Sequence, residues 1–510
     1  MTTKATTTTT TTTPTPEEGF PLAAIPGYYA KDRGNDVVAR ADGTTLTWRG
    51  LHERSSAVAR GLIERGAEPG RIVTLLIPNS TDLIVATFAC YKAGATPQVL
   101  SPTMTPSELQ AIIELGDPVV VVELDEREPR DRVPGGRADT VTLAALAEGQ
   151  SEADLEETRV PTSWKAPTSG GSTGRPKIIL SGRPGVTSSF DPSFWRINPG
   201  EQVLITAPMH HNAPYSTALS AIFGGGTVTM LRRFDAERTL AEIDAVGATW
   251  VYLVPTMMRR IWALPADVRA SYSLASVQSF WHCAEPCPAW LKRNWIEWLG
   301  AERIWELYAG TEAEAGCTIR GDEWLEHPGS VGKVTWGEIR LVDCDGAEVT
   351  EPGASGEIFT RVPQGNPATY RYIGAEPNEL DGWSSLGDMG RFDADGYLYL
   401  HDRRGDMVTV GGMNVYPAEI EAALIEHPDV QTTAVIGLPD EDMGNRLHAI
   451  VQPRDGSLVR EDELREYLTE RLSRQKVPRS IELVSHSLRD DAGKIRRSAL
   501  RAERLEGEAR

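Results

Sequence analysis

The sequence predicts an α/β protein: a large N-terminal domain of two layered α/β halves with a small antiparallel β unit, then a small α+β domain. Three observations predict it. Over residues 72–123 and again over 203–254, short apolar runs alternate with amphipathic segments, as strands connected through helices do. The run 118–123 is continuously apolar, which suits a strand covered on both faces. After about Val334 the texture changes to short runs broken by turn clusters at 343–346, 353–356 and 393–396.

In chain order, the first half reads as a strand over 72–77, a helix over 80–93, a turn at Gly94 and a strand over 97–100. A helix begins near Thr105, where Pro106 and Glu108 make a capped start. The second half reads as strands over 203–206, 227–231 and 250–254, with helices over 216–223 and 236–246. From Met407 onward, strands over 433–437 and 447–452 combine with helices over 418–426 and 461–474. The expected division is a disordered Thr-rich tail (1–17), a large domain (18–403), a hinge (404–406) and a small domain (407–510).

The 52 basic residues against 72 acidic ones leave a net charge of −20, which repels phosphate backbones and anionic membranes. A general nucleic-acid binder is therefore excluded, and any nucleotide must meet a local set of donors. The five cysteines form no CxxC pair, which argues against a disulfide framework or structural zinc and suits a reducing cytoplasm. No signal peptide and no apolar run of membrane-spanning length is present, so a soluble cytoplasmic protein is expected.

Four clusters carry chemistry. Thr168-Ser-Gly-Gly-Ser-Thr-Gly-Arg-Pro-Lys177 offers close backbone approach, hydroxyl donors and a cation, the needs of a phosphate site, yet it lacks the G-x-x-x-x-G-K-[ST] spacing. Tyr308-Ala-Gly-Thr-Glu312 places a ring, a hydroxyl and a carboxylate in one short turn, suited to a base and a magnesium ion. Gly387-Asp388 puts a carboxylate in a tight turn, where it can accept both ribose hydroxyls. Gly493-Lys494 sits in a basic loop, Arg489-Asp-Asp-Ala-Gly-Lys-Ile-Arg-Arg497. Singly, each has a plain reading: a flexible linker, a helix cap, a turn residue and a solvated charge.

Together, in this order, the clusters resemble the adenylate-forming superfamily of acyl-CoA synthetases, stand-alone adenylation domains and beetle luciferases. The resemblance runs from about Leu46 to Leu500, adding Tyr91-Lys-Ala-Gly-Ala-Thr-Pro97, Pro208-Met-His-His211, Gly356-Glu-Ile358, Arg403, Gly411-Gly412 and residues 414–417. The run 402–421 is more similar to acyl-CoA synthetases than to peptide-synthetase domains. The resemblance implies a β-barrel-like character for the small β unit and a mobile C-terminal domain. It implies Mg2+ as cofactor and ATP and CoA as co-substrates, with a small-molecule carboxylic acid activated as its adenylate; a homodimer is compatible with it.

On this resemblance Ser169, Gly170, Gly171, Ser172, Thr173, Gly174 and Lys177 order the pyrophosphate, and Glu312 holds the metal. Thr311 contacts phosphate, Tyr308 lies against adenine with Ala309 and Gly310 beside it, and Asp388 and Arg403 hold ribose. Lys494 neutralises charge in adenylation, His211 gates the acyl and pantetheine path, and the Gly411-Gly412 segment faces the pantetheine tunnel after domain rotation. Arg446, Arg474 and Lys476 are candidates for the CoA nucleotide or simply solvated charges.

Three positions depart from the family pattern: Gly170 stands where many relatives carry Ser, Ala309 where Gly is common, and Gly405 at the hinge. The first two touch the ATP half-reaction, so the expectation includes an enzyme that mainly performs the thioester half on a preformed adenylate. The stretch 279–286 and Trp305 are placed near the acyl pocket, favouring a bulky cyclic, terpenoid, steroid-like or aryl acid. Two other classes stay open: an adenylation protein loading a carrier in trans, since no carrier domain follows Lys494, and a non-catalytic nucleotide- or acyl-binding protein.

Overall fold

A computed structural model describes residues 16, 19–124, 139–170, 176–189, 192–403, 408–410, 413–440, 443–489 and 495–508. Apart from Pro16, the expected Thr-rich tail lies outside the described residues, as do the hinge 404–406, Gly171 to Gly174, Gly411, Gly412 and Lys494.

The strands β1 (Val37–Ala41) and β2 (Thr44–Thr47) form an antiparallel pair. They are followed by β3 (Ile72–Leu76), β4 (Thr96–Val99), β5 (Val120–Glu123) and β6 (Asp139–Thr142), a parallel sheet in the order β4-β3-β5-β6. Local chemistry sets the helix ends. Ser80 Oγ accepts from Leu83 N to start the helix Thr81–Ala93, and Gly94 at φ +82° ends it. Thr105 and Glu108 form a reciprocal capping box at the head of Pro106–Gly116.

The next strands are β7 (Thr168–Gly170), β8 (Pro176–Ser181), β9 (Gln202–Ile205), β10 (Thr227–Met230), β11 (Trp250–Leu253), β12 (Ser279–Cys283) and β13 (Ile304–Ala309). After them come β14 (Gly316–Arg320), β15 (Ser330–Trp336), β16 (Glu338–Val342), β17 (Ser355–Arg361), β18 (Tyr370–Ile373), β19 (Asn378–Leu380), β20 (Trp383–Phe392) and β21 (Leu398–Arg403). Strands β13-β12-β11-β9-β10-β1 run parallel. The helix Thr81–Ala93 packs against strands of both parallel sheets, which accounts for burial on nearly every side. Asn79 joins the halves: its side chain bonds the backbone of Ala207 (2.9 Å), Leu231 (3.0 Å) and Met209 (2.8 Å).

The antiparallel β unit is present, and it is not detached. Through β14 and β15 its strands continue the main sheet in the order β16-β17-β20-β21-β15-β14-β13. Separately, β18, β8 and β7 form a three-stranded antiparallel sheet. Beyond residue 407, β22 (Val408–Val410) pairs with β23 (Met413–Val415), and β24 (Val430–Asp440), β25 (Gly444–Pro453) and β26 (Ser480–Leu483) form a sheet. With helices Pro417–Ile425, Glu461–Thr469 and Arg497–Glu508 they make a small domain whose core, around Ile420, Leu424, Val435 and Leu464, is its own. The helix expected over 461–474 stops at Thr469, and the chain re-forms a single tight turn, Arg474–Lys476, before Pro478. No helix among the described residues is long and apolar enough to cross a membrane.

The large core centres on fully buried Trp48, Trp250, Trp281, Trp295 and Trp324. Within it, Lys292 from the helix Ala289–Leu299 pairs with Glu306 of β13, and His282 of β12 lies 3.8 Å from the same carboxylate. Burial drives the imidazole of His282 well below its ordinary value, so it stands neutral beside the pair. Lys292→Met leaves Glu306 without its cation and is expected to cost about 3–5 kcal/mol. Thermal unfolding would show the lowered midpoint, with partial recovery on adding Glu306→Gln.

Candidate active site

The site is built where β13 ends. Tyr308 and Ala309 belong to that strand and not, as the sequence suggested, to the turn; only residues 310–313 reverse the chain, with Ala313 at φ +55°. A Cβ on Gly310 would press on Leu386 Cδ1 and lie 2.9 Å from Glu312 Oε2, so the ends of both side chains would have to shift.

Glu312 is only 5% exposed, and its neighbours hold it in place. Its Oε1 accepts from Lys177 Nζ (3.2 Å) and from the Tyr372 hydroxyl (2.5 Å), while Thr369 Oγ1 donates to its backbone oxygen (2.7 Å). Lys177 also sits 3.8 Å above the Tyr372 ring centroid. Register explains the meeting: Tyr372 of β18 lies opposite Ile179 of β8, and Lys177 of β8 lies opposite Ser169 of β7. Burial, then the Glu312 charge, pushes the Tyr372 phenol well up, so it donates and never competes as an anion. Among the described residues nothing hydrogen-bonds Glu312 Oε2.

The Tyr308 hydroxyl donates to Asp388 Oδ2 at 2.9 Å. Asp388 lies inside β20 and not in a turn: Gly387 takes φ +80°, and the ladder to β21 is bulged between Asp388 and Gly390. Against β17, residues 386–388 of β20 stand opposite Ile358 alone, and that bulge re-aims the carboxylate. Asp388 is the register partner of Arg403, the last residue of β21.

These groups line one cavity of about 2520 Å³. Ser169, Lys177, Tyr308, Ala309, Gly310, Thr311, Glu312, Asp388 and His211 all reach it, while Gly170 ends β7 beside them and Arg403 is placed only by its register with Asp388. His211 precedes the helix Asn212–Phe223, with its ring 4.1 Å from that of His210. Small-domain residues Ala418, Glu421, Arg489 and Ile495 close another wall.

Among the described residues two ion pairs join the domains at this cavity. Arg489 Nη1 meets Glu285 Oε2 at 3.1 Å and Arg496 meets Glu108 at 2.8 Å. Glu285 follows Ala284, held at φ +76°, and also accepts from Thr256 N (3.0 Å) and Thr256 Oγ1 (2.8 Å). Arg489 bridges to Ile495, so it flanks the stretch that carries Lys494. Arg259, on the same wall, is pushed down to about 10 by burial and then by the Arg489 charge.

Other expectations are corrected. Trp281 and Trp305 stack at 5.5 Å in the core and do not line the cavity, whereas Cys283, Ala284, Glu285 and Pro286 do. Lys476 is paired with Glu419 at 2.6 Å, and Arg446 donates to the Pro439 carbonyl. Among the described residues the one cluster with metal-ligating geometry, His327 with Asp393 and Asp395, lies outside this cavity. Sequence reasoning missed Tyr372, Thr369, Glu285 and Lys165. Glu285 lies in a stretch already flagged; nothing local marks the other three.

The chain matches the AMP-binding enzyme family over residues 28–368 and the AMP-binding enzyme C-terminal domain over 419–494. It is 31% identical over 487 residues to a feruloyl-CoA synthase of an Amycolatopsis species, covering 94% of this chain and 98% of that one. It is 29% identical over 466 residues to the 2-succinylbenzoate–CoA ligase of Bacillus licheniformis, covering 89% and 94%. Among solved structures, the o-succinylbenzoate coenzyme A synthetase of Bacillus subtilis with ATP and a magnesium ion superposes with a TM-score of 0.80 at 23% identity, covering 95% and 100%. Gly310→Ala is expected to displace the Glu312 carboxylate from Lys177 and Tyr372 and weaken ATP binding by roughly tenfold or more, one lost charge-assisted contact. Calorimetric titration measures it.

Proposed function

This chain belongs to the AMP-binding enzyme family, and from that premise we propose that it joins a ring-bearing carboxylic acid to CoA through the acyl-adenylate. It is an AMP-forming acid–thiol ligase of the acyl- and aryl-CoA kind. The observation that carries the finer reading is the buried Glu312, gripped on one oxygen by Lys177 and Tyr372 and free of described partners on the other.

In the first half-reaction a carboxylate oxygen of the acid attacks the α-phosphorus of ATP, and the bond to pyrophosphate breaks. In the second, the CoA thiolate attacks the acyl carbon, the bond to AMP breaks, and the thiol proton passes to solvent. Lys177, with Ser169 and residues 170–174, holds the pyrophosphate end, and Thr311 donates to phosphate. Asp388, oriented by the Tyr308 hydroxyl, accepts from the ribose hydroxyls and Arg403 donates to them, while the Tyr308 ring stays against adenine. His211 borders the acyl path. Lys494 neutralises the charge that builds between carboxylate and α-phosphate, and preorganised charge in a water-poor site is the strongest device available there.

The donor set fits magnesium: one buried carboxylate with an open oxygen suits an ion otherwise held by phosphate and water. Glu312 would hold it, and when bound it neutralises the phosphates. The small domain would withdraw Lys494 by turning about residues 404–406 and present Gly411 and Gly412 to the thiol path. Despite Ala309, the Tyr308, Glu312 and Asp388 positions are all kept in the cavity, which favours a complete two-step enzyme over one limited to a preformed adenylate. Aryl acids named for the relatives, and Trp195, Phe194 and Trp336 on the cavity wall, support an aryl or other cyclic acid.

Lys494→Ala should lower acid-dependent ATP–pyrophosphate exchange by about 100-fold while sparing thioester formation from supplied acyl-adenylate. Equal loss of both halves would remove Lys494 from the adenylation step. Glu285→Gln, which loosens the hold on Arg489, should show the same asymmetry in weaker form. Offering CoA and a carrier protein in parallel identifies the acceptor.

A further inference from the structure

We propose that Lys165 reads an oxygen acceptor on the acid, placed away from the reacting carboxylate. The substrate is then an acid with a distal carboxylate, phenolate or ketone, not one with a plain hydrocarbon tail. The inference rests on the ligase reading above and narrows it.

Lys165 stands beside the phosphate-binding hairpin, its carbonyl accepting from Ser181 N at 3.1 Å. Its side chain runs along the Trp164 ring, with Nζ 4.4 Å from the centroid. Nζ donates to Asn212 Oδ1 and to Ser216 Oγ (3.0 Å), one turn apart on the helix that begins just after His211. Lys165, Asn212 and Ser216 all line the cavity. An ammonium has three donors; two go to these neutral oxygens, which leaves one for a ligand.

The contrast with other enclosed lysines carries the argument. Lys92 has Asp154 at 3.7 Å, Lys177 has Glu312 at 3.2 Å, and Lys292 has Glu306. Lys165 alone of these four meets no carboxylate among the described residues, and Arg183 adds positive charge nearby. Burial first, then Arg183, pushes its ammonium down to about 7. An acceptor oxygen arriving there completes the hydrogen bonding of a desolvated cation, which a methyl or methylene cannot do. A lysine serving only the fold would have the internal anion that Lys92 and Lys292 have.

The test uses the full-length enzyme and matched acids: 3-phenylpropanoate, its 4-hydroxy and 4-carboxy derivatives, and 3-cyclohexylpropanoate with its 4-oxo derivative. The expected result is a kcat/KM higher by roughly tenfold or more for at least one oxygenated member over its parent, carried by KM. In Lys165→Met that preference collapses toward unity. Lys165→Gln, which keeps a donor, retains part of it and serves if the Met variant fails to fold. Acids activated without preference for oxygen, or a preference unchanged in both variants, would overturn the proposal. Absence of adenylate from every acid tried would instead strike at the ligase reading.

Discussion

The Lys177–Glu312 pair is the constraint on which the site depends. It ties a three-stranded sheet, whose β7 and β8 flank the glycine-rich stretch, to the end of a central strand of the main sheet. A buried pair of this kind is not a cheap source of stability, because desolvating two charges offsets most of their attraction. What it provides is position. The carboxylate is pinned on one oxygen by a cation and a phenol, and Gly310 leaves the room that this geometry needs. A polyanion entering the cavity meets a lysine already aimed inward, and the lysine can exchange one oxyanion for another without crossing solvent.

What was legible in the sequence was what local chemistry decides. The caps at Ser80 and Thr105, the stop at Gly94 and the all-buried strand β5 follow from a few adjacent residues. The motif residues of the cavity were legible because each cluster carries its own chemistry in a short span. Asp388 was misplaced in a turn because a glycine with positive φ inside a bulge against β17 has the same composition as one in a reversal. Trp281 and Trp305 were misplaced because aromatic content does not reveal which face of a parallel strand meets a cavity. Tyr372 reaches Glu312 across 60 positions and Arg489 reaches Glu285 across 204, contacts that only the assembled sheets and the docked small domain create.

The electrostatics also acquire a shape. A chain with net charge −20 still accommodates an anionic nucleotide because its cavity gathers Lys165, Lys177, Arg259 and Arg489 from four separate stretches. Two of them, Lys177 and Arg489, are neutralised in place by a glutamate on the same wall. Attraction is therefore short-ranged, and specificity lies in which partner each cation gives up.

The rung between Asp388 and Arg403 has a mechanical consequence. It closes the β20–β21 ladder at the point where the large domain hands the chain to the small one. A hydrogen-bonded ladder resists torsion, so any swing of the small domain must be taken up beyond Arg403. With the pivot proposed at 404–406, the carboxylate assigned to the sugar would sit on its fixed side, one rung away. The nucleotide would keep its berth while the machinery around it changes hands, and a bend introduced one residue earlier would carry that berth away with the moving part.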